Sequence, residues 1–342
     1  GLLEMRDEDL REEIQGLDMM TIHFVDMVNE IHRAGYGKNG KTGNDFFTEY
    51  PFVNNVAGNY DRNGDGEFDS TYLFRISGSN SLDPQAQIGL EGTMTLSGPN
   101  GNVNIEYNPT DTVEEVVERI NTSGSEVVAR LDRNGRLNLK ASPAAQVENP
   151  DFVIRHIEDS GRFLTGYAGM LQASGPDGSY DWGQADAVTA LRGDGVDYSV
   201  APLSHPSGWI EVNREVASDP NTVAAGLGEN GQPANTGDGS AALAIASLRN
   251  SDVMVGRFSS FDEYFSQAVA NVGLKGEAAE RSYETENEIM RELQSMKESI
   301  SGVNIDEELS QMIKFQHGYA AASRFVSEVN DMLDILINRM GV

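Results

Sequence analysis

The chain has 342 residues, enough for two or three domains, and its 54 acidic against 25 basic residues give a formal charge of −29. That balance opposes neutralisation of phosphates, so DNA, RNA and anionic membrane surfaces are excluded as partners held by charge. Cysteine is absent, which removes disulfides, zinc-thiolate sites and thiol nucleophiles, and there is neither an 18-residue apolar run nor a signal-peptide pattern after Gly1.

Residues 2–33 place Leu3, Leu10, Leu17, Phe24 and Ile31 seven apart, with Ile14 and Val28 at intervening seam positions. This spacing predicts a long amphipathic helix that stops near Gly35 and Gly37, before a loop over 38–43. The chain opens inside this helical pattern and without Met, so a natural segment ahead of Gly1 is expected.

From Asp45 to about Gly237 the texture is β-rich, with turn residues recurring between short alternating runs such as 72–76 and 209–213. Residues 92–96 and 103–107 read as a hairpin. A helix over 111–121 follows, with Asp111 as a cap and Val113, Val116, Val117 and Ile120 on one face. Strands at 127–131 and 136–140 complete a ββαββ order, read as one compact sheet crossed by a helix.

Ahead of that unit, Asp61, Asn63, Asp65 and Asp69 fall at loop positions 1, 3, 5 and 9, with Gly66 at the sixth and the Glu67 carbonyl at the seventh. Alternating oxygens with a glycine turn suit a calcium ion. Tyr72 stands where a bidentate Glu would complete such a loop, and a solvated turn needing no metal is the other reading. No cofactor is required by any motif. The five histidines form no HExxH pair, and no GxSxG elbow or phosphate loop occurs.

Helical texture returns at 240–248, 260–272 and 277–300, with Gly302 as a stop. The last of these carries an acidic run, read as a solvated face. Asn304 and Glu307 then look like a capping box opening the final helix. Counted from Ile305, every a and d position through Met340 except Glu308 is apolar: Ile305, Met312, Phe315, Tyr319, Ala322, Val326, Val329, Leu333 and Leu336. Beyond Arg324 the apolar surface widens through Phe325, Met332, Ile335 and Ile337. A helix apolar on most sides needs cover on most sides. The first half is therefore expected to pack within the chain against the N-terminal seam, and the second half to meet other molecules.

The expected fold is an α+β multidomain chain, with long coiled-coil-like helices from both termini forming a rod and β-rich middle domains that include the ββαββ unit. Expected boundaries are 1–48 with 237–342 for the helical part, 49–85 with 149–236 for a β-rich domain, and 86–148 for the inserted unit.

The run from Ser301 to Val326, with Gly302, Asn304, Asp306, Gln311, Phe315, His317, Gly318, Tyr319 and Arg324, and its continuation over 332–337, closely resembles the C-terminal signature of the flagellar hook-associated protein 1 family. Residues 1–7 resemble the start of a helix midway through that family, and Glu211, Asn213, Asp219 and Pro220 its return to the helical domain. The unit around 111–121 is similar to a motif shared by flagellins and hook-associated proteins. This resemblance implies a non-enzymatic axial subunit of the bacterial flagellum, extracellular and exported through the flagellar type III channel without a cleaved signal peptide. It implies copies of itself, hook protein and the next junction protein as partners, an export chaperone, and no nucleic acid or membrane. The family's C-terminal helix positions carry over as Phe315, Tyr319, Val326, Val329, Leu333, Leu336 and Ile337, and the widened apolar surface adds Phe325, Met332 and Ile335 to the expected assembly interface. Two alternative readings are a secreted calcium-stabilised binding module or adhesin, motivated by the β-rich middle, and a hydrolase drawn from its many carboxylates.

Overall fold

The computed structural model describes residues 9–49, 57–146, 148–201, 205–208, 210–228, 232–233, 235–254, 259–302 and 304–339. By internal contact the chain divides into Gly1–Ala270 and Asn271–Val342.

The first unit begins with α1 (Leu10–Ala34), which carries Glu12 and Glu13 in its first turn and His32 and Arg33 in its last, in the sense that complements the helix dipole. It ends where the glycine spacing predicts. A Cβ on Gly35 would lie 2.7 Å from the Cβ of Ala224, so only glycine admits this close approach. Strand β1 (Tyr36–Gly37) leaves the helix and pairs antiparallel with β10 (Ala224–Gly226).

The middle holds β2 (Leu73–Ser81), β3 (Gly92–Leu96), β4 (Val103–Tyr107), α2 (Val113–Thr122), β5 (Val127–Leu131), β6 (Arg136–Ala141), β7 (His156–Asp159), β8 (Tyr180–Asp181) and β9 (Asp197–Val200). The ββαββ order is present as predicted, and α2 buries Val113, Val116, Val117 and Ile120. Its cap is Thr112 rather than Asp111. The Thr112 hydroxyl accepts from the Glu115 amide while the Glu115 carboxylate accepts from the Thr112 amide, and Asp111 instead holds the Asn108 amide and Arg119.

The single compact sheet expected for this segment does not form. Its two hairpins join different four-stranded antiparallel sheets, in the orders β5-β6-β2-β9 and β4-β3-β7-β8. Each hairpin leaves an open edge that takes a strand from outside the segment, β2 at 73–81 for one and β7 at 156–159 for the other. One apolar core runs through both sheets and α2, including Leu73, Ile76, Met94, Ile120, Leu139 and Phe163, so residues 86–148 share their interior with the flanking segments. The strand expected at 209–213 reduces to a bridge between Val212 and Phe47, after which Asn213 caps the short helix α3 (Arg214–Ser218); Trp209 lies outside the described residues.

A smaller core joins Val28 and Ile31 of α1 to Ala241 of α4 (Ser240–Ser247) and to Leu248, with Phe46, Phe47 and Phe261 packed on it. Helix α5 (Phe261–Ser301) then runs unbroken where two helices were expected, passing through Gly273 and Gly276. Each glycine costs roughly 1 kcal/mol relative to alanine, too little to stop a helix flanked by good formers. The second unit contains the rest of α5, the stop at Gly302, and α6 (Ile305–Asp334) opened by Asn304, whose side chain accepts from the Asp306 amide. It continues as a π turn over Ile335–Arg339; Met340, at the end of the predicted seam, lies outside the described residues.

Candidate assembly surfaces

Among the described residues of 271–339 none is buried, and only Val329 is half-buried. The apolar residues of α6 therefore form an uncovered surface: Phe315 is 76 % exposed, Tyr319 78 % and Phe325 70 %, with Val326, Met332, Leu333, Ile335, Leu336 and Ile337 also exposed. Ile305, Leu309, Met312 and Phe315, with Glu308 and Gln311, line an apolar groove of about 490 Å³ on the first half of α6. Ile305 and Met312, in the half of α6 expected to be covered, are exposed as well. The π turn inserts an extra residue into the last turn, which displaces Leu336 from the heptad line on which Val326, Val329 and Leu333 stand.

In the first unit α1 presents the earlier part of its seam outward and buries the end of it, Val28 and Ile31. Leu10, Leu17 and Phe24 remain partly exposed, whereas its buried face combines Met19, Ile22, Val28 and Ile31 with Asp18, His23, Asp26, Asn29 and His32. The physical reason lies across the interface, on the β5-β6-β2-β9 sheet. Arg75 of β2 is 2 % exposed and contacts Asp26 at 2.9 Å, Glu49 at 2.8 Å and Asp197 at 2.9 Å. Lys140 of β6 pairs closely with Asp26, and Arg130 of β5 with Glu30, whose other oxygen accepts from the Arg133 amide. A charged sheet face demands charged partners on the helix that covers it, so the polar stripe turns inward.

These groups set one another's protonation. Burial pushes the Asp26 carboxyl up, but Lys140, Arg75 and Arg130 outweigh it and hold it well below the usual range. Burial lowers Arg75, yet Asp26, Glu49 and Asp197 keep its charge secure. Burial draws Lys140 down to about 8 against the attraction of Asp26, and draws His23 down to about 3 with help from Lys140 and Arg130. A polar cleft of about 350 Å³ opens beside the network, lined by Arg33, Arg130, Arg136, Asp132 and Asn138 among others. Sequence reading missed this site. Its signal was available in Arg75 between Phe74 and Ile76, in Lys140 between Leu139 and Ala141, and in Asp26 and Glu30 one turn apart on α1.

The loop read as a calcium candidate turns its oxygens to its own backbone. Asp61 accepts from the Gly64 and Gly66 amides at 2.6 and 2.8 Å, Asn63 from Asp65 at 2.8 Å, Asp65 from Glu67 at 2.9 Å, and Asp69 from Arg62 at 3.0 Å. Gly64 and Gly66 adopt positive φ, as this winding requires. Among the described residues, no three His, Cys, Asp or Glu side chains gather in a group that could hold a metal. No helix of the described residues is long and apolar enough to cross a membrane.

Comparison with known proteins gives these surfaces a context. Residues 1–47, which include α1, match the model described as flagellar hook-associated protein FlgK helical domain. Residues 93–142, spanning both hairpins and α2, match the flagellin hook IN motif, and residues 298–340, spanning α6, match the C-terminal model of the flagellar basal body rod FlgEFG proteins. Flagellar hook-associated protein 1 of Salmonella typhimurium is 22 % identical over 99 % of this chain and 49 % of its own length. The chain is similar to flagellar hook-associated protein 1. The proteins of that name from Escherichia coli, at 22 % identity over 99 % of the chain, and from Bacillus subtilis, at 29 % over 31 % of the chain, show the same relation. The chain spans about half the length of the first two relatives. The family resemblance read from 301–337 and from the unit around 111–121 falls within matched regions.

Proposed function

We propose that this chain is a structural, non-enzymatic subunit of the bacterial flagellum that joins hook to filament through its terminal helices. The observation that carries this reading is the coincidence of the uncovered apolar face of α6 with the match over 298–340 to a flagellar axial-protein model. Exposed aromatic and aliphatic residues along a helix of 30 residues, continued by the π turn, would be a solubility liability in a protein that stays alone. They are an asset in one whose copies pack side by side. Copies of itself, hook protein and the next junction protein are the partners this role calls for. The heptads of both ends supply the helical rod of the assembled subunit, and the two-sheet body lies to one side of that task. Export to the flagellum without a cleaved signal peptide, aided by a chaperone that covers the apolar helix before assembly, belongs to the same proposal.

The test is attachment. With residues 305–342 removed from the protein in its native cell, hooks are expected to form without filaments, and the purified protein is expected to lose binding to isolated hooks. Unchanged attachment by the shortened protein would overturn the proposal.

A further inference from the structure

The buried stripe of α1 contains two histidines that the assembly role does not use. His23 is 3 % exposed, and neither ring nitrogen has a hydrogen-bond partner among the described residues. Lys140 of β6, Arg130 of β5 and Asp26 on its own helix act on it electrostatically. Asp26, the nearby counter-charge, is already shared among Arg75, Arg130 and Lys140. A proton added to His23 would place a fourth cation beside three, with no free carboxylate to receive it.

Two turns and a half along the same helix, His32 is 1 % exposed and both ring nitrogens are used. Nδ1 donates to the Asn44 carbonyl at 2.6 Å, and Nε2 accepts from the Ala224 amide at 3.0 Å. Only the singly protonated ring makes both bonds, since a second proton would face the Ala224 amide with another N–H. The ring of His32 is thus held in one tautomer by two bonds, whereas that of His23 is held by none.

We propose that α1 is an acid-released latch, in which protonation of His23 frees the helix from the β-body while both sheets keep their fold. Met19 and Ile22 join α1 to the core it shares with the sheets, and polar contacts surround them. Glu30 holds Arg130, Arg33 holds Asp45 and Glu49, and Arg11 and Gln15 reach Asp151, all through ion pairs or hydrogen bonds. Asp18 accepts from the Ser207 amide and bonds the His205 ring, and the Tyr264 hydroxyl meets Met19. Asp45 works against release, because burial lifts its carboxyl to about 6 and the docked state takes up a proton there as the pH falls. The share of His23 is therefore read by difference.

Hydrogen exchange of the intact chain, measured by mass spectrometry from pH 7.5 to 5 and corrected for the intrinsic rate, reads α1 through peptides covering 18–32 and the β-body through 92–107. Opening of 18–32 relative to 92–107 is expected to grow as the pH falls below 6.5. In His23→Leu, or in His23→Met should the first variant fail to fold, that growth is expected to be smaller by about tenfold per pH unit, the effect of one proton. A constant ratio of the two segments across the range in the wild type would overturn the proposal. Equal growth in wild type and variant would overturn it too.

Discussion

Arg75 shows how one side chain organises an interface. Its guanidinium reaches carboxylates on α1, on the loop at Glu49 and on β9, so three separate stretches of chain meet on five donors. Replacing it with Ala leaves Asp26 and Glu49 short of a counter-charge in a buried site, and Arg75→Ala is expected to lower stability by about 3–5 kcal/mol in urea unfolding. His23 gives a pH dependence of definite sign. The folded state keeps the ring neutral down to about 3, whereas the unfolded chain protonates it below 6.5, so the unfolded state holds the extra proton between those values. Stability from this group falls as the pH falls through that window, by about 1.4 kcal/mol per unit, and His23→Leu is expected to flatten the acid side of the stability profile. At the exposed loop, Asp61 bonds two amides by itself. Asp61→Ala is expected to lower the Tm by a few degrees in EDTA and in calcium alike, and a clearly larger loss in calcium would show that the cation binds there.

At the scale of elements, helices were read more securely than their environments. The end of α1 at Gly35, the face of α2 and the start of α6 at Asn304 all follow from spacing and capping chemistry within a few residues. The orientation of α1 did not, because its heptad seam and its charged stripe are both regular and only the charged sheet face selects between them. Separate helices over 260–272 and 277–300 were expected, yet one helix runs through Gly273 and Gly276. A Cβ at either glycine would meet nothing within 4 Å, so Gly273→Ala with Gly276→Ala is expected to stabilise α5 by up to about 2 kcal/mol, seen as a higher melting temperature of its helical circular dichroism. The two hairpins were likewise legible as hairpins. Their membership in separate sheets depends on β2 and β7, which lie outside the local pattern.

For the whole molecule, the apolar surface of α6 is the feature that connects structure to role. Phe325→Asp with Val326→Asp puts two charges on a face that other subunits would have to bury, and is expected to abolish binding to isolated hooks while the urea unfolding of Gly1–Ala270 stays unchanged. Periodicity along the chain was sufficient for the existence of the long helices, the β texture between them and the surplus of apolar residues after Arg324, because each of these is a property of neighbours in sequence. Three-dimensional packing alone decided that the hairpins part into two sheets, that α1 buries its charges while Leu10, Leu17 and Phe24 of its seam stay partly exposed, and that Arg75, Lys140 and Asp26 meet. Those outcomes rest on contacts between residues as much as 189 apart, where a strand edge or a buried charge takes whichever distant partner satisfies it.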